Sequence, residues 1–166
     1  MKALSFVLIL LFSNVALGED AMSLVDIIKN DTWTVAEGEM DDHIMFLRFR
    51  TTITKKLNLS VFPKAIHIFW DYKSENDGMP SSVLSKKMEE FENRITDALE
   101  GDQSGILTVI KTYQGTRQWL FYTTNTENFS DKLHNIPQNE NPYPIEIEAE
   151  NDEEWEYFFD GMHIPH

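Results

Sequence analysis

Apolar positions recur along this chain in two periods, and the switches between them mark out the elements. Ile106–Thr112 is dense in β-branched residues, and Tyr113-Gln114-Gly115-Thr116 puts a glycine where a hairpin turn needs positive φ. Arg117–Tyr122 then alternates large and smaller side chains, so the stretch predicts strand, tight turn, strand. Before it, Leu84, Met88, Phe91, Ile95 and Leu99 recur every three or four residues, which predicts a helix over Ser82–Glu100 with Gly101 as a left-handed cap. After it, Thr124-Asn125-Thr126-Glu127 has capping-box spacing, and Phe129, Leu133 and Ile136 make a helical stripe that Pro137 stops.

A strand is predicted beyond each helix. Ala65–Tyr72 places Ile66, Ile68, Trp70 and Tyr72 on one side and His67, Phe69 and Asp71 on the other. Tyr143–Glu148 alternates so that Ile145 and Ile147 point inward with the glutamates out, and Pro144 assigns it to a sheet edge. Toward the N-terminus, Trp33–Glu37, a turn at Gly38–Asp42 and a longer strand over His43–Thr54 form a second hairpin. In that longer strand Ile44, Phe46, Arg48 and Arg50 share a face, the pattern of a strand that enters the core and leaves it. Leu24, Ile27 and Ile28 fit either a two-turn helix or a linker. At the other end Asn151-Asp152-Glu153-Glu154 opens a short helix whose Trp155, Phe158 and Phe159 dock on the domain.

From Ala65 the order is strand, helix, strand, strand, helix, strand. With right-handed crossovers it closes as an α+β, ferredoxin-like βαββαβ plait carrying an extra N-terminal β-hairpin and a short C-terminal helix. Ala65–Tyr72 and Arg117–Tyr122 take the centre, Tyr143–Glu148 an edge, and the hairpin extends the sheet or covers its open face. A separate hairpin domain is too small to stand alone.

Composition adds where such a domain works. Met1-Lys2, the apolar run Ala3–Phe12 and the small residues at Ala16-Leu17-Gly18 read as a secretory signal over residues 1–18, leaving one domain over 19–166; an uncleaved anchor or buried N-terminal helix is the alternative. With the leader removed, no transmembrane segment is expected. The chain has no cysteine, so its core and not disulfides must hold it, and a periplasmic or secreted location fits. Lys and Arg number 14 against 28 Asp and Glu, a net charge of −14 that disfavours nucleic acid and anionic lipid and favours a basic partner. Acid accumulates from Glu140 onward, where no Lys or Arg occurs: a solvated face or a docking surface, with Glu153 and Glu154 as candidate contacts.

One family resemblance is visible. Ile68-Phe69-Trp70-Asp71-Tyr72, Gly78-Met79-Pro80, the run Gly115-Thr116-Arg117-Gln118-Trp119-Leu120-Phe121-Tyr122, Tyr143-Pro144-Ile145-Glu146-Ile147 and Asp152-Glu153-Glu154-Trp155-Glu156-Tyr157 resemble the bacterial domain-of-unknown-function family number six hundred and ninety-five, over residues 33–157. The resemblance implies no activity, cofactor or catalytic residues. Some members are joined to a domain similar to regulators of ribonuclease activity, a cytoplasmic role at odds with the leader and the charge here.

Chemistry-bearing motifs are few. There is no Gly-x-Ser-x-Gly elbow, His-Glu-x-x-His pair or phosphate-cradling glycine loop, so no catalytic residue and no cofactor is expected. Trp70, Asp71, Tyr72, Arg117 and Trp119 gather if the two central strands pair. They then form a stacking and ion-pairing platform, or core indoles with Arg117 neutralising Asp71. A ligand pocket under Trp70 and Trp119, with or without hydrolysis, is the alternative function. Asp160, His163 and His166, spaced i, i+3, i+6, are weak metal candidates or an ordinary polar tail; His43 and His67 read as partly buried structural groups. The leading expectation is a non-enzymatic, exported module that binds a basic protein or envelope component through the acidic C-terminal surface and a sheet edge.

Overall fold

The computed structural model describes residues 23–74, 77–138 and 141–161. In order they form α1 (Leu24–Lys29), β1 (Trp33–Met40), β2 (His43–Arg50), a single 3-10 turn at Leu59–Val61, β3 (Lys64–Asp71), α2 (Ser82–Glu100), β4 (Gly105–Tyr113), β5 (Thr116–Thr123), α3 (Thr126–Asn135), β6 (Glu146–Asn151) and α4 (Glu156–Phe159). The strands make one six-stranded sheet in the order β1-β2-β4-β5-β3-β6, each neighbouring pair antiparallel. The α+β class is the one expected. β3 and β5 lie inside the sheet, β6 at its edge, and the leading hairpin extends the sheet beside β4.

Period-two alternation gives this sheet two apolar faces. On one, Ile66, Ile68 and Trp70 of β3 and Trp119 and Phe121 of β5 pack against Met88, Phe91, Ile95 and Leu99 of α2 and against Phe129 of α3. On the other, Leu47, Ala65, Val109, Leu120 and Tyr122 pack against Leu24 and Ile27 of α1, the loop residues Ile53, Leu57 and Phe62, and Trp155 and Phe158 at the C-terminal end. Each such side chain, fully buried, contributes about 1.5–3 kcal/mol. A register shift between Leu107 and Val109 keeps β4 apolar on both sides, and Thr108 within it donates to the Leu120 carbonyl at 2.9 Å.

The β4–β5 turn forms as its glycine predicts, with Gln114 at φ 45° and Gly115 at φ 82°. Other ends differ. Gly101 is right-handed (φ −62°), and α2 closes two residues later: Gln103 takes φ 61°, its N–H reaching the Glu100 carbonyl at 3.2 Å and that of Ser104 reaching Leu99 at 3.0 Å. That pair of bonds is a Schellman closure, which needs one left-handed residue but not a glycine. Asn125, not Thr124, caps α3, its side chain accepting from the N–H groups of Glu127 and Asn128. α1 is a helix with a Ser23–Asp26 capping box. β2 stops at Arg50. β6 begins at Glu146, after Pro144, so Ile145 is half-buried but Ile147 is 45% exposed and does not reach the core.

The basic end of β2 does not leave the core. Arg50 is 2% exposed, its Nε 2.9 Å from Asp31 Oδ1 and one terminal nitrogen 3.0 Å from Glu100 Oε1. Those approaches lie off the N–H directions and act as charge contacts, while the other terminal nitrogen donates to Glu100 Oε2 at 3.2 Å. Both Arg50 and Arg48 lie over the Trp33 ring, and Arg48 also pairs with Glu92, whose second oxygen accepts from the Trp119 indole at 2.8 Å. This charged layer fastens the β1–β2 hairpin to α2. Burial pushes the Glu100 carboxyl pKa up, against the opposing pull of Arg50. Arg50→Ala would leave Glu100 buried without its cation, and denaturant unfolding should show a loss of about 3–5 kcal/mol. A loss below about 1 kcal/mol would put this pair among ordinary surface bridges.

Candidate functional site

β6 is built around alternation. Glu146, Glu148 and Glu150 pair with Phe69, His67 and Ala65, while Ile147 and Ala149 pair with Ile68 and Ile66. The glutamates therefore share the face of His67 and Phe69, and Ile147 shares the helix-covered face. Backbone direction alternates too. The Asp152 N–H donates to the Pro63 carbonyl at 2.9 Å and that of Tyr72 to Gly115 at 2.7 Å. By parity, odd residues of β3 turn their peptide groups to β6 and even ones to β5. Glu146, Glu148 and Glu150 thus bond inward, and Ile147, Ala149 and Asn151 present N–H and C=O groups to the outer edge. No strand among the described residues takes them, and all six β6 residues are exposed.

The glutamate side of this edge continues into the part of the sheet that α1 and α4 leave uncovered. A trough of about 480 Å³ runs there, lined by Phe69, Asp71, Lys111, Gln118, Glu146 and Glu148 among others. Three carboxylates face one lysine. The Thr116 hydroxyl donates to Asp71 at 2.6 Å, and Gln118 and His67 Nδ1 share a hydrogen bond of 2.9 Å. His67 is 7% exposed, with the Tyr157 ring 4.8 Å away edge-on, and its Nε2 has no hydrogen-bond partner. Burial lowers its pKa, opposed by Glu150, Glu148 and Asp152 and reinforced by Lys111.

Asp152 closes the covered half. Its carboxylate accepts from the Tyr122 hydroxyl at 2.5 Å and from the Glu156 and Tyr157 N–H groups at 2.8 and 3.1 Å. The chain reaches α4 through Trp155, left-handed at φ 58°, stacked on Tyr122 at 3.9 Å and donating to the Phe62 carbonyl at 3.0 Å. The expected helix start at Asn151–Glu154 is thus the end of β6 followed by a turn, and the Asp152 carboxylate accepts the first N–H groups of a helix beginning only at Glu156. Burial first, then the hydrogen bond to Asp152, drives the Tyr122 pKa far up, so the phenol stays a donor. Tyr157 in turn donates to Glu150.

The aromatic platform expected from Trp70, Asp71, Tyr72, Arg117 and Trp119 does not assemble as one site. Trp70 and Trp119 are core, 5% and 0% exposed, with ring centroids 6.4 Å apart. Arg117 lies opposite Trp70 on the helix face, whereas Asp71 faces the other side and bonds Thr116, so Arg117 does not neutralise it. Arg117 donates to Thr112 at 3.0 Å; burial lowers its pKa, and Glu92 is its leading opposite charge. Tyr72 ties the 77–80 turn to the β4–β5 turn: its hydroxyl donates to the Gly78 carbonyl at 2.8 Å, which also accepts from the Gly115 N–H at 2.9 Å. A Cβ on Gly115 would sit 2.8 Å from the Tyr72 carbonyl oxygen. These motif residues make a structural corner.

Beside that corner, a cleft of about 720 Å³ is lined by Trp70, Leu84, Lys87, Asn141, Pro142 and Tyr143, among others; Trp119 is not in its wall. Glu153 and Glu154 are exposed on the turn before Trp155. His43 is exposed, 6.4 Å from the Tyr113 ring, because it opens a strand at a hairpin turn; only His67 is the buried structural histidine expected. His163 and His166 lie outside the described residues, as do residues 1–18, where a leader is expected; among the described residues no group of three or more metal-ligating side chains occurs. No helix there is long and apolar enough to cross a membrane. Sequence reading noted the glutamates of β6 but missed Phe69, His67, Lys111 and Gln118 as their neighbours, which the β3–β6, β3–β5 and β4–β5 registers bring beside them.

Residues 31–162 match the model of a family described as "Family of unknown function (DUF695)". No curated protein and no solved structure matches the chain.

Because burial lowers the His67 pKa in the fold, the unfolded chain binds more protons below the ordinary value of 6.5. Stability is full above that value and falls as pH drops toward the lower native one. Urea unfolding followed from roughly pH 7.5 to 5.5 should show this loss in the parent and a shallower one in His67→Gln. Equal slopes would contradict it; the opposite trend from Glu100, whose raised carboxyl favours low pH, is common to both proteins.

Proposed function

The chain belongs to the family of unknown function DUF695, and we propose that it is a non-enzymatic interaction module, exported to the periplasm or secreted, that binds a basic protein or envelope component. The observation that carries this reading is β6: an open strand edge whose three glutamates continue a trough with Asp71 in its wall and Lys111 as its one cation. Desolvating a carboxylate is costly without a counter-charge, so such a surface favours Lys- and Arg-bearing partners and repels phosphate-rich ones. The leader at residues 1–18 and the net charge of −14 support the same reading. Glu153 and Glu154 add charge beside the edge. The order β4-β5-β3-β6 with its two helices supports reading the fold as a ferredoxin-like plait with the leading hairpin added at β4.

The cleft beside Trp70 supports a second reading, a small-ligand site, with Lys87 at its wall and Trp70 and Tyr143 forming its aromatic side. It involves Trp70 and not Trp119.

Binding of a lysine-rich protein to the full chain, measured by calorimetry at roughly 20 and 300 mM salt, should weaken about tenfold or more across that range. Affinity that does not change with salt would contradict the acidic-surface reading.

A further inference from the structure

The edge strand has a second side. Opposite its glutamates, Ile147 is 45% exposed and borders a trough of about 370 Å³ whose walls include Leu133 and His134 of α3 and Tyr143 and Ile145. β6 therefore shows carboxylates on one face, an apolar shelf on the other, and unpaired backbone groups of Ile147 and Ala149 between them. Resting on the proposed acidic-surface function, we infer that the partner binds by strand addition: an extended segment in which basic and apolar residues alternate pairs antiparallel with β6 as a seventh strand.

Geometry dictates the alternation. A strand laid on this edge sits about 4.8 Å away, and its directly opposed side chains come within about 5.5 Å at Cβ. Residues opposite Glu146, Glu148 and Glu150 fall on the glutamate face, at ion-pairing range for Lys or Arg. Those opposite Ile147 and Ala149 fall on the apolar face, where Ile147 and the wall from α3 receive them. Because Ile147 and Ala149 carry the outward peptide groups, the partner's apolar residues make the backbone bonds, and its basic residues turn theirs away.

Self-pairing does not fit, because an antiparallel copy of β6 sets glutamate against glutamate. The opposite edge lacks the pattern. On β1, Val35, Glu37 and Glu39 share one face, so charge and apolar surface are not separated across the strand.

The test uses the full chain and four blocked seven-residue peptides: alternating Lys-Ile-Lys-Val-Lys-Ile-Lys, its composition-matched block Lys-Lys-Lys-Lys-Ile-Ile-Val, and the alternating peptide N-methylated either at its apolar residues or at its interior lysines. The alternating peptide should bind about tenfold tighter than the block, and methylation at the apolar residues should abolish that advantage while methylation at the lysines leaves it. Glu148→Lys should weaken the alternating peptide about tenfold and Glu37→Lys leave it unchanged. If alternating and block peptides bind alike and lose affinity with salt, strand addition is overturned and the acidic-surface reading stands. If no peptide binds even at low salt, both are overturned.

Discussion

A strand inside a sheet must satisfy its peptide groups on two sides, and β3 does so by sending even residues to β5 and odd residues to β6. The other features of the molecule follow from that division. The even side chains Ile66, Ile68 and Trp70 go under α2, and the odd ones go to the opposite face, where Ala65 meets the second core and His67 and Phe69 run toward open surface. With β3 committed on both sides, β6 inherits one bonded flank and one open flank. Its glutamates are bound to the inward-bonding positions, so the charge sits beside the free peptide groups and does not block them.

Polar groups decide how the two cores are held against the sheet. On the helix face, Arg48, Arg50, Glu92 and Glu100 bridge the leading hairpin to α2, and the Trp119 indole completes the hydrogen bonding of Glu92. On the other face, Asp152 accepts from Tyr122 and from two α4 peptide groups. A buried carboxylate without such donors would cost several kcal/mol, so these two centres are where α2 and α4 are pinned. α4 covers only half of that face, which leaves the trough that runs out to β6.

Much of the fold was legible because local chemistry and tertiary need agree. The β4–β5 turn demands left-handed backbone and has Gly115 to supply it, and the stripe Leu84–Leu99 matches the face α2 buries. The errors occur where a local preference had an equivalent substitute. Gly101 looked like the helix cap, but Gln103 takes the left-handed position with Asp102 and Ser104 bonding around it. Arg48 and Arg50 looked like an exit to solvent because periodicity does not report the acids that α2 brings from more than forty residues away. Asp71 and Arg117 are close in register yet on opposite faces, so the ion pair expected between them does not form, while Trp70 and Trp119 are the core indoles of the alternative reading and the motif glycines join two turns. The acidic run was visible in sequence; that it borders an open edge with an apolar shelf behind it depends on the β3–β6 register.

Residue-by-residue amide exchange along β6 tests this account most directly. In the protein alone, the amides of Glu148 and Glu150 should exchange slowly and those of Ile147 and Ala149 fast; when a basic, alternating segment binds, Ile147 and Ala149 should become protected while the first pair changes little. Fast exchange at all four positions in the bound state, or new protection on β1 instead, would contradict it.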